Sequence, residues 1–418
     1  MGSVRFPWIL TAVLVIASCL PAGRSRVTWP ATLPAVDGAW VCPATPLEPR
    51  YEPTLFVAVD GSDDHDGRTE ETPFRTLQRA ADVARAGDVV WVRGGVYSSD
   101  VAFEHAGTPD RPIVIESYPG ECAILDGSGL EPLRRVRFWN VEHVVFRNFV
   151  VRRSPGEGVF LSGSHRNVIS HLWVHDNHLS GILSMNGDEN LFSYVVSHGN
   201  FDRPNGGDAD GISIASGYGN RIDRCVAYGN SDDGVDTWLS RNTLVERCVS
   251  FDNGRAAGDG RGFKLGGGER VSSTVVRHSI AFANRADGFD WNSGKDVTFE
   301  YNTAFANGRF GFLAGAGRLV GNLSLENGRA DFRADRGANV EVANSWNLVG
   351  LRVDFVSTDP ASVGFVSPRS PIRADDEGDA ATAEALRRGI GALPAGTSIA
   401  EWLGIGWWPE LPAGGRGE

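Results

Sequence analysis

"VAYGNSDDGVDTW", Val226–Trp238, contains the repeating unit of this chain in its shortest form. A brief apolar run ends at Asn230, Gly234 follows four residues later, and a short strand-like segment begins at Val235. The same order recurs on both sides. "WVHDN" ends at Asn177, "VSHGN" at Asn200, "VSFDN" at Asn253, "IAFAN" at Asn284 and "TAFAN" at Asn307, in steps of 23, 30, 23, 31 and 23 residues. The two long steps are the same period carrying insertions. Gly181, Gly211, Gly234, Gly262, Gly288 and Gly311 close the turns, and "GILS", "GISI", "GVDT", "GFKL", "GFDW" and "GFLA" follow as strands. Short strands at a fixed period, punctuated by turn residues, define an all-β solenoid: a parallel β-helix with one coil per repeat. Asn tolerates left-handed turns and can also stack its amide along the coil axis, so the Asn column is read as structural. Cys225 and Cys248 are 23 residues apart and hold equivalent positions.

The columns place coils from about Pro112 to about Asn347, on the order of ten of them. Ahead of them, "TPFRTLQRAADVARAGDVVWVRGGVY" (Thr72–Tyr97) has helical spacing at Leu77, Ala80, Ala81, Val83 and Ala84. A helix here would cap the open end of the stack and block edge pairing. We therefore delimit a β-helix domain with its cap over 54–347. Residues 348–418 lose the pattern and are expected to lie over the coils as an irregular C-terminal extension.

Residues 1–22 resemble an export signal. Arg5 is followed by the apolar "WILTAVLVIA" (Trp8–Ala17), too short to span a bilayer comfortably. "IASC" (Ile16–Cys19) also fits a lipoprotein signal that would leave Cys19 lipid-anchored, whereas ordinary cleavage near Ala17–Ala22 would not. A secreted protein is expected, with no transmembrane segment after the signal, and Cys42 and Cys122 could pair in that compartment. The net charge of −12 argues against nucleic acid or an anionic membrane as partner. It leaves room for an acidic polymer held through a divalent cation. A monomer is expected.

Successive coils put equivalent residues about 4.8 Å apart, and side chains alternate inward and outward along each strand. Val159, Ile182, Ile212, Val235, Phe263, Phe289 and Phe312 follow the turn glycines and must face inward. The next column, Phe160, Leu183, Ser213, Asp236, Lys264, Asp290 and Leu313, must then face outward. Asp210 and Asp233 precede their glycines on neighbouring coils, and Asp232 precedes Asp233. Four carboxylates thus converge: Asp210, Asp232, Asp233 and Asp236. Hard oxygen donors without Cys or His suit Ca²⁺ rather than zinc. Lys264 stands one coil beyond Asp236. Acidic turn residues beside Gly are common, and Asp236–Lys264–Asp290 could be a plain ion-pair ladder. Four Asp and one Lys beside the only two large insertions in the ladder favour a functional site.

"DADGISI", "NSDDGVDTW" and "GRGFKLGGG", in that order behind an "FVAVDGSDDHDGRTEETPFRTLQRA" cap, resemble the pectate lyases of polysaccharide lyase family 9. The resemblance spans roughly residues 54–370 and is most specific over Asp208–Gly268. It implies a right-handed parallel β-helix and Ca²⁺-dependent β-elimination on polygalacturonate. It also implies that Asp210, Asp232, Asp233 and Asp236 hold the Ca²⁺, that Lys264 is the Brønsted base, and that Asp208 is a conceivable fifth participant. A lysine base must be deprotonated, so activity is expected at alkaline pH, with Arg261 lowering the lysine's proton affinity and Asp236 and Asp290 raising it. A polygalacturonase-like hydrolase would need no metal and carries "GHG" and "RIK" strings that this chain lacks. A lyase or epimerase on another uronic-acid glycan would share the proton abstraction at C5. A noncatalytic β-helix adhesin or carbohydrate-binding protein would keep the Asn and Gly columns but need neither Lys264 nor four Asp. Trp238 and Trp291 fit either sugar stacking or core packing.

Overall fold

A computed structural model describes residues 52–131, 136–270 and 272–347. The expected signal (1–22), Cys19, Cys42 and the C-terminal stretch 348–418 lie outside the described residues. Three parallel sheets run the length of the molecule. The first has twelve strands, from Leu55–Val57 to Val340–Val342. The second and third have ten each, from Val101–Phe103 to Ala330–Ala334 and from Gly95–Ser98 to Leu323–Leu325. Each complete coil contributes one strand to each sheet, which is the parallel β-helix anticipated from the repeat, with the right-handed coil that the resemblance implies.

The stack starts earlier than the repeat columns indicate. Leu55–Val57 already pairs in parallel with Val89–Val92, which pairs with Ile113–Ser117. These first strands are continuous apolar runs without the Asn and Gly punctuation, so periodicity alone could not place them. Helix α1 (Leu77–Val83) lies between the first two strands of that sheet in the chain. Thr76 caps it, its Oγ1 accepting from the Arg79 N–H at 3.2 Å. Leu77, Ala80 and Ala81 are buried in the core that fills the coils, and α1 packs beside Val101–Phe103, the end strand of the second sheet.

The asparagines form one continuous ladder. From Asn177 through Asn200, Asn230, Asn253, Asn284 and Asn307 to Asn327, each Nδ2 donates to the Oδ1 of the next coil's Asn at 2.8–3.0 Å. Each backbone N–H of Asn177 to Asn307 donates to the same oxygen. Stacking, and not left-handed geometry, is therefore what requires Asn. The left-handed residue is the one before it: Asp176, Gly199, Gly229, Asp252, Ala283 and Ala306, with φ between 52° and 65°. Nor do the turn glycines serve for positive φ. A Cβ on Gly234 would lie 1.9 Å from Ser250 Oγ and 2.8 Å from Asn253 Nδ2. Gly is needed there because the next coil's inner side chains come too close.

A second column, of mixed composition, runs through Cys225 and Cys248. The Cys225 N–H donates to Cys248 Sγ (3.4 Å), the Cys248 N–H to Ser279 Oγ (3.2 Å) and the Ser279 N–H to Asn302 Oδ1 (2.9 Å). The two thiols are free and buried, and Cys248 Sγ acts as an acceptor in the place Asn takes further on. Cys122 is disulfide-bonded, and its expected partner, Cys42, lies outside the described residues.

Asn284→Ala removes the oxygen that the Asn253 N–H and Nδ2 share; Nδ2 keeps Ser250 Oγ and the Ala227 carbonyl, but the buried N–H is left without a partner. A loss of roughly 2–4 kcal/mol is expected in denaturant unfolding. A loss below about 0.5 kcal/mol would mean that the ladder contributes little beyond shape.

Candidate active site

The second sheet carries the charged column in the register read from the sequence: Ser213 beside Asp236, Asp236 beside Lys264, Lys264 beside Asp290. The inward column alongside it is fully buried from Val159 to Phe312. A packed core thus fixes which way the charges point.

The residues before the turn glycines have two tasks. Asp210 Oδ1 accepts the Asp233 N–H (3.1 Å), Asp233 Oδ1 accepts the Arg261 N–H (2.6 Å), and Asp287 Oδ1 accepts the Phe310 N–H (3.0 Å). One carboxylate oxygen is spent on joining coils, and the other is available for chemistry. The structural and the functional readings of these aspartates therefore both hold, on different atoms.

The four expected carboxylates do come together, but in two overlapping groups that share Asp233. Oxygens of Asp210, Asp233 and Asp236 lie within 4.8 Å of one another, and so do those of Asp232, Asp233 and Asp259. Asp259 escaped the sequence reading because it belongs to the insertion before Lys264 and has no counterpart in the regular coils. The insertion folds back so that the Asp259 N–H donates to Asp232 Oδ1, while its carboxylate meets Arg261. Asp208 belongs to neither group: it is exposed, and its N–H donates to Asp202 Oδ1 at 3.0 Å. Lys264 Nζ sits 3.1 Å from Asp236 Oδ2, 3.2 Å from Asp233 Oδ2 and 3.7 Å from Asp259 Oδ2. Asp290 does not act on Lys264 as anticipated. Its carboxylate is engaged by Arg261 Nε instead.

Asp210, Asp232, Asp233 and Asp236 are all buried, Asp233 completely. Burial raises all four above the ordinary carboxylate range, with repulsion from neighbouring carboxylates adding to it and Lys264 opposing it, Asp232 to about 7 and Asp236 to about 6. Burial alone would depress Lys264, but Asp236, Asp233, Asp210 and Asp232 together outweigh it and hold the ammonium above its usual value. The Oδ1 of Asp236 is buried with no hydrogen-bond partner. An all-oxygen donor set, crowded, desolvated and partly unsatisfied, fits a hard divalent cation. Trp291 is packed in the core, whereas Trp238 is exposed, which separates the two tryptophans that sequence left equivalent.

A parallel β-helix with an aspartate cluster and an adjoining lysine on one outer sheet face defines the class, and comparison with known proteins agrees. A family model described as "Pel9A-like, right handed beta helix region" matches residues 55–327. Pectate lyase PEL9 of Emericella nidulans is 29% identical over 373 residues, covering 75% of this chain and 90% of that protein. The crystal structure of pectate lyase Pel9A superposes with a TM-score of 0.66 at 25% identity, over 74% of this chain and 84% of that one. A rhamnogalacturonan lyase shares the fold, with a TM-score of 0.69 at 24% identity over 82% of this chain and all of that one. The chain belongs to the Pel9A-like right-handed β-helix family, and it is a polysaccharide lyase.

Asp232 titrates near pH 7 in the folded state but near 3.8 when unfolded, so the folded chain binds the extra proton between those values. Its contribution to stability then falls as pH rises through that window. Without added divalent cation, Asp232→Asn is expected to raise Tm at pH 8 by roughly 2–4 °C, and by less at pH 5. Scanning calorimetry at both pH values checks this, and an equal shift at both would contradict the assigned titration.

Proposed function

We propose that this lyase cleaves polygalacturonate by Ca²⁺-dependent β-elimination outside the cytoplasm. Asp210, Asp232, Asp233 and Asp236 hold the cation, and Lys264 is the base. The observation that carries this reading is the position of Lys264 Nζ, within 3.2 Å of two buried aspartates in a cluster that has the donor chemistry of a calcium site. The signal-like residues 1–22 and the size of a pectic polymer support export.

Bound there, Ca²⁺ would neutralise the uronate C6 carboxylate and the aspartates, acidify the C5 proton and relieve the charges that hold Lys264 protonated. Lys264, as the free amine, takes the C5 proton on Nζ. The C5–H electron pair becomes the C4=C5 double bond as the C4–O bond breaks. The departing sugar oxygen takes up a proton from water. Arg261 is held by Asp290 and Asp259, and so is positioned beside the lysine without competing for Asp236. Even with those charges relieved, a lysine's ordinary pKa of about 10.4 places the working range on the alkaline side. A lyase acting on another uronic-acid glycan would use the same proton abstraction.

Unsaturated uronide absorbs in the ultraviolet. Absorbance is expected to rise with polygalacturonate and Ca²⁺ and to stay flat with chelator. Lys264→Ala should lower kcat by at least about 10²-fold, the contribution of a positioned base. A wild-type optimum below neutral pH, or an active Lys264→Ala, would remove Lys264 from the role. Activity only on other uronans would redirect the substrate.

A further inference from the structure

Seven large hydrophobic residues are exposed among the described residues, and three of them, Trp139, Met185 and Trp238, fall in one column of the second sheet. Isolated exposed apolar residues are ordinary; a column of them is not. The strand register places Trp139 beside Ser162, Ser162 beside Met185 and Met185 beside Ala215. The pairing of Ser213 with Asp236 then puts Ala215 beside Trp238. Large and small residues alternate coil by coil: Trp139, Ser162, Met185, Ala215, Trp238. The exposures of the large ones are 53%, 38% and 48%.

This column is continuous with the active site. Trp238 lies two residues after Asp236 on the same strand and faces the same way, about 7 Å along it. Its ring rests on the glycine loop that follows the Lys264 strand. A Cβ on Gly267 would come within 2.7 Å of Trp238 Cδ1, and Gly267 has φ 129°. Only glycine leaves the indole this seat. Trp139 is four coils away, about 19 Å at one strand spacing per coil. A sugar ring is about as long as one strand spacing, so a linear glycan laid along the helix axis advances nearly one residue per coil.

We infer that Trp139, Met185 and Trp238 form a binding track for the polysaccharide substrate, running from the active site toward the N-terminal end of the helix and holding the sugar rings by their C–H faces. The occupant is the linear glycan that the lyase cleaves; this rests on the proposed function for its identity, not for its geometry. Flat indole faces bind such rings by contact area and leave the carboxylates to the cation site. Trp238 holds the sugars nearest the scissile bond. Trp139 is reached only by a chain about four residues longer.

The experiment compares wild type, Trp139→Ala, Trp238→Ala and Trp139→Phe on polygalacturonate and on trigalacturonate. Trp139→Ala is expected to lower the polymer-to-trimer ratio of kcat/KM by about tenfold, through KM and not kcat, as expected for losing one buried aromatic contact. Trp139→Phe should recover most of that loss. Trp238→Ala should raise KM on both substrates. A wild-type ratio in Trp139→Ala and a wild-type KM in Trp238→Ala would overturn the track while leaving the lyase reading intact. Should wild type fail to cleave polygalacturonate, that reading fails. The track is then decided by affinity electrophoresis in gels containing polygalacturonate or rhamnogalacturonan. Retardation of wild type that weakens in both alanine variants supports it, and equal mobility of all proteins in every gel overturns it. Melting curves confirm that the variants are folded.

Discussion

Everything in this molecule depends on strict axial stacking, in which each residue sits directly over its equivalent one coil below. The Asn ladder enforces this at one corner. Each amide both donates to and accepts from its neighbours, and each oxygen also takes up a backbone N–H. A slip in register would break several buried hydrogen bonds at once, in a place water does not reach. The glycine column serves the same end by letting adjacent coils close to contact.

Such stacking turns a sequence pattern into a chemical site. Asp236 and Lys264 are 28 residues apart in the chain, yet side by side across one ladder step. The cost is desolvation and repulsion among carboxylates, which appears as raised proton affinity across the whole cluster. Lys264 and the backbone N–H groups offset part of that cost. A rigid, crowded, partly unsatisfied anionic site of this kind is preorganised for a cation. It also explains how the aspartates can be structural and reactive at once, since separate oxygens of one carboxylate do the two jobs.

The insertions are where the fold departs from its repeat, and they shape the site most. The segment before Lys264 brings Asp259 against Asp232 and Arg261, so that Asp233 becomes the hinge between two oxygen clusters. Arg261 in turn captures Asp290, which simple column reasoning had assigned to the lysine. A long, forked guanidinium can reach past its own column, and regular spacing says nothing about that reach.

The repeat, the coil architecture, the inward and outward columns, and hence the meeting of Asp210, Asp233, Asp236 and Lys264, are legible in the sequence. They are so because a parallel solenoid converts a fixed period into a fixed distance, and side-chain alternation into a fixed direction. The sequence did not show the first coils, whose continuous apolar strands carry no punctuation. It left two roles open for the Asn column, and the structure keeps the stacking and moves the left-handed corner to the preceding residue, which composition does not distinguish. The roles of Asp259 and Arg261, the division of the carboxylates into two groups, and the separation of exposed Trp238 from buried Trp291 emerge only in the folded chain. These depend on loop paths and on long side chains turning off the ladder, which no period encodes.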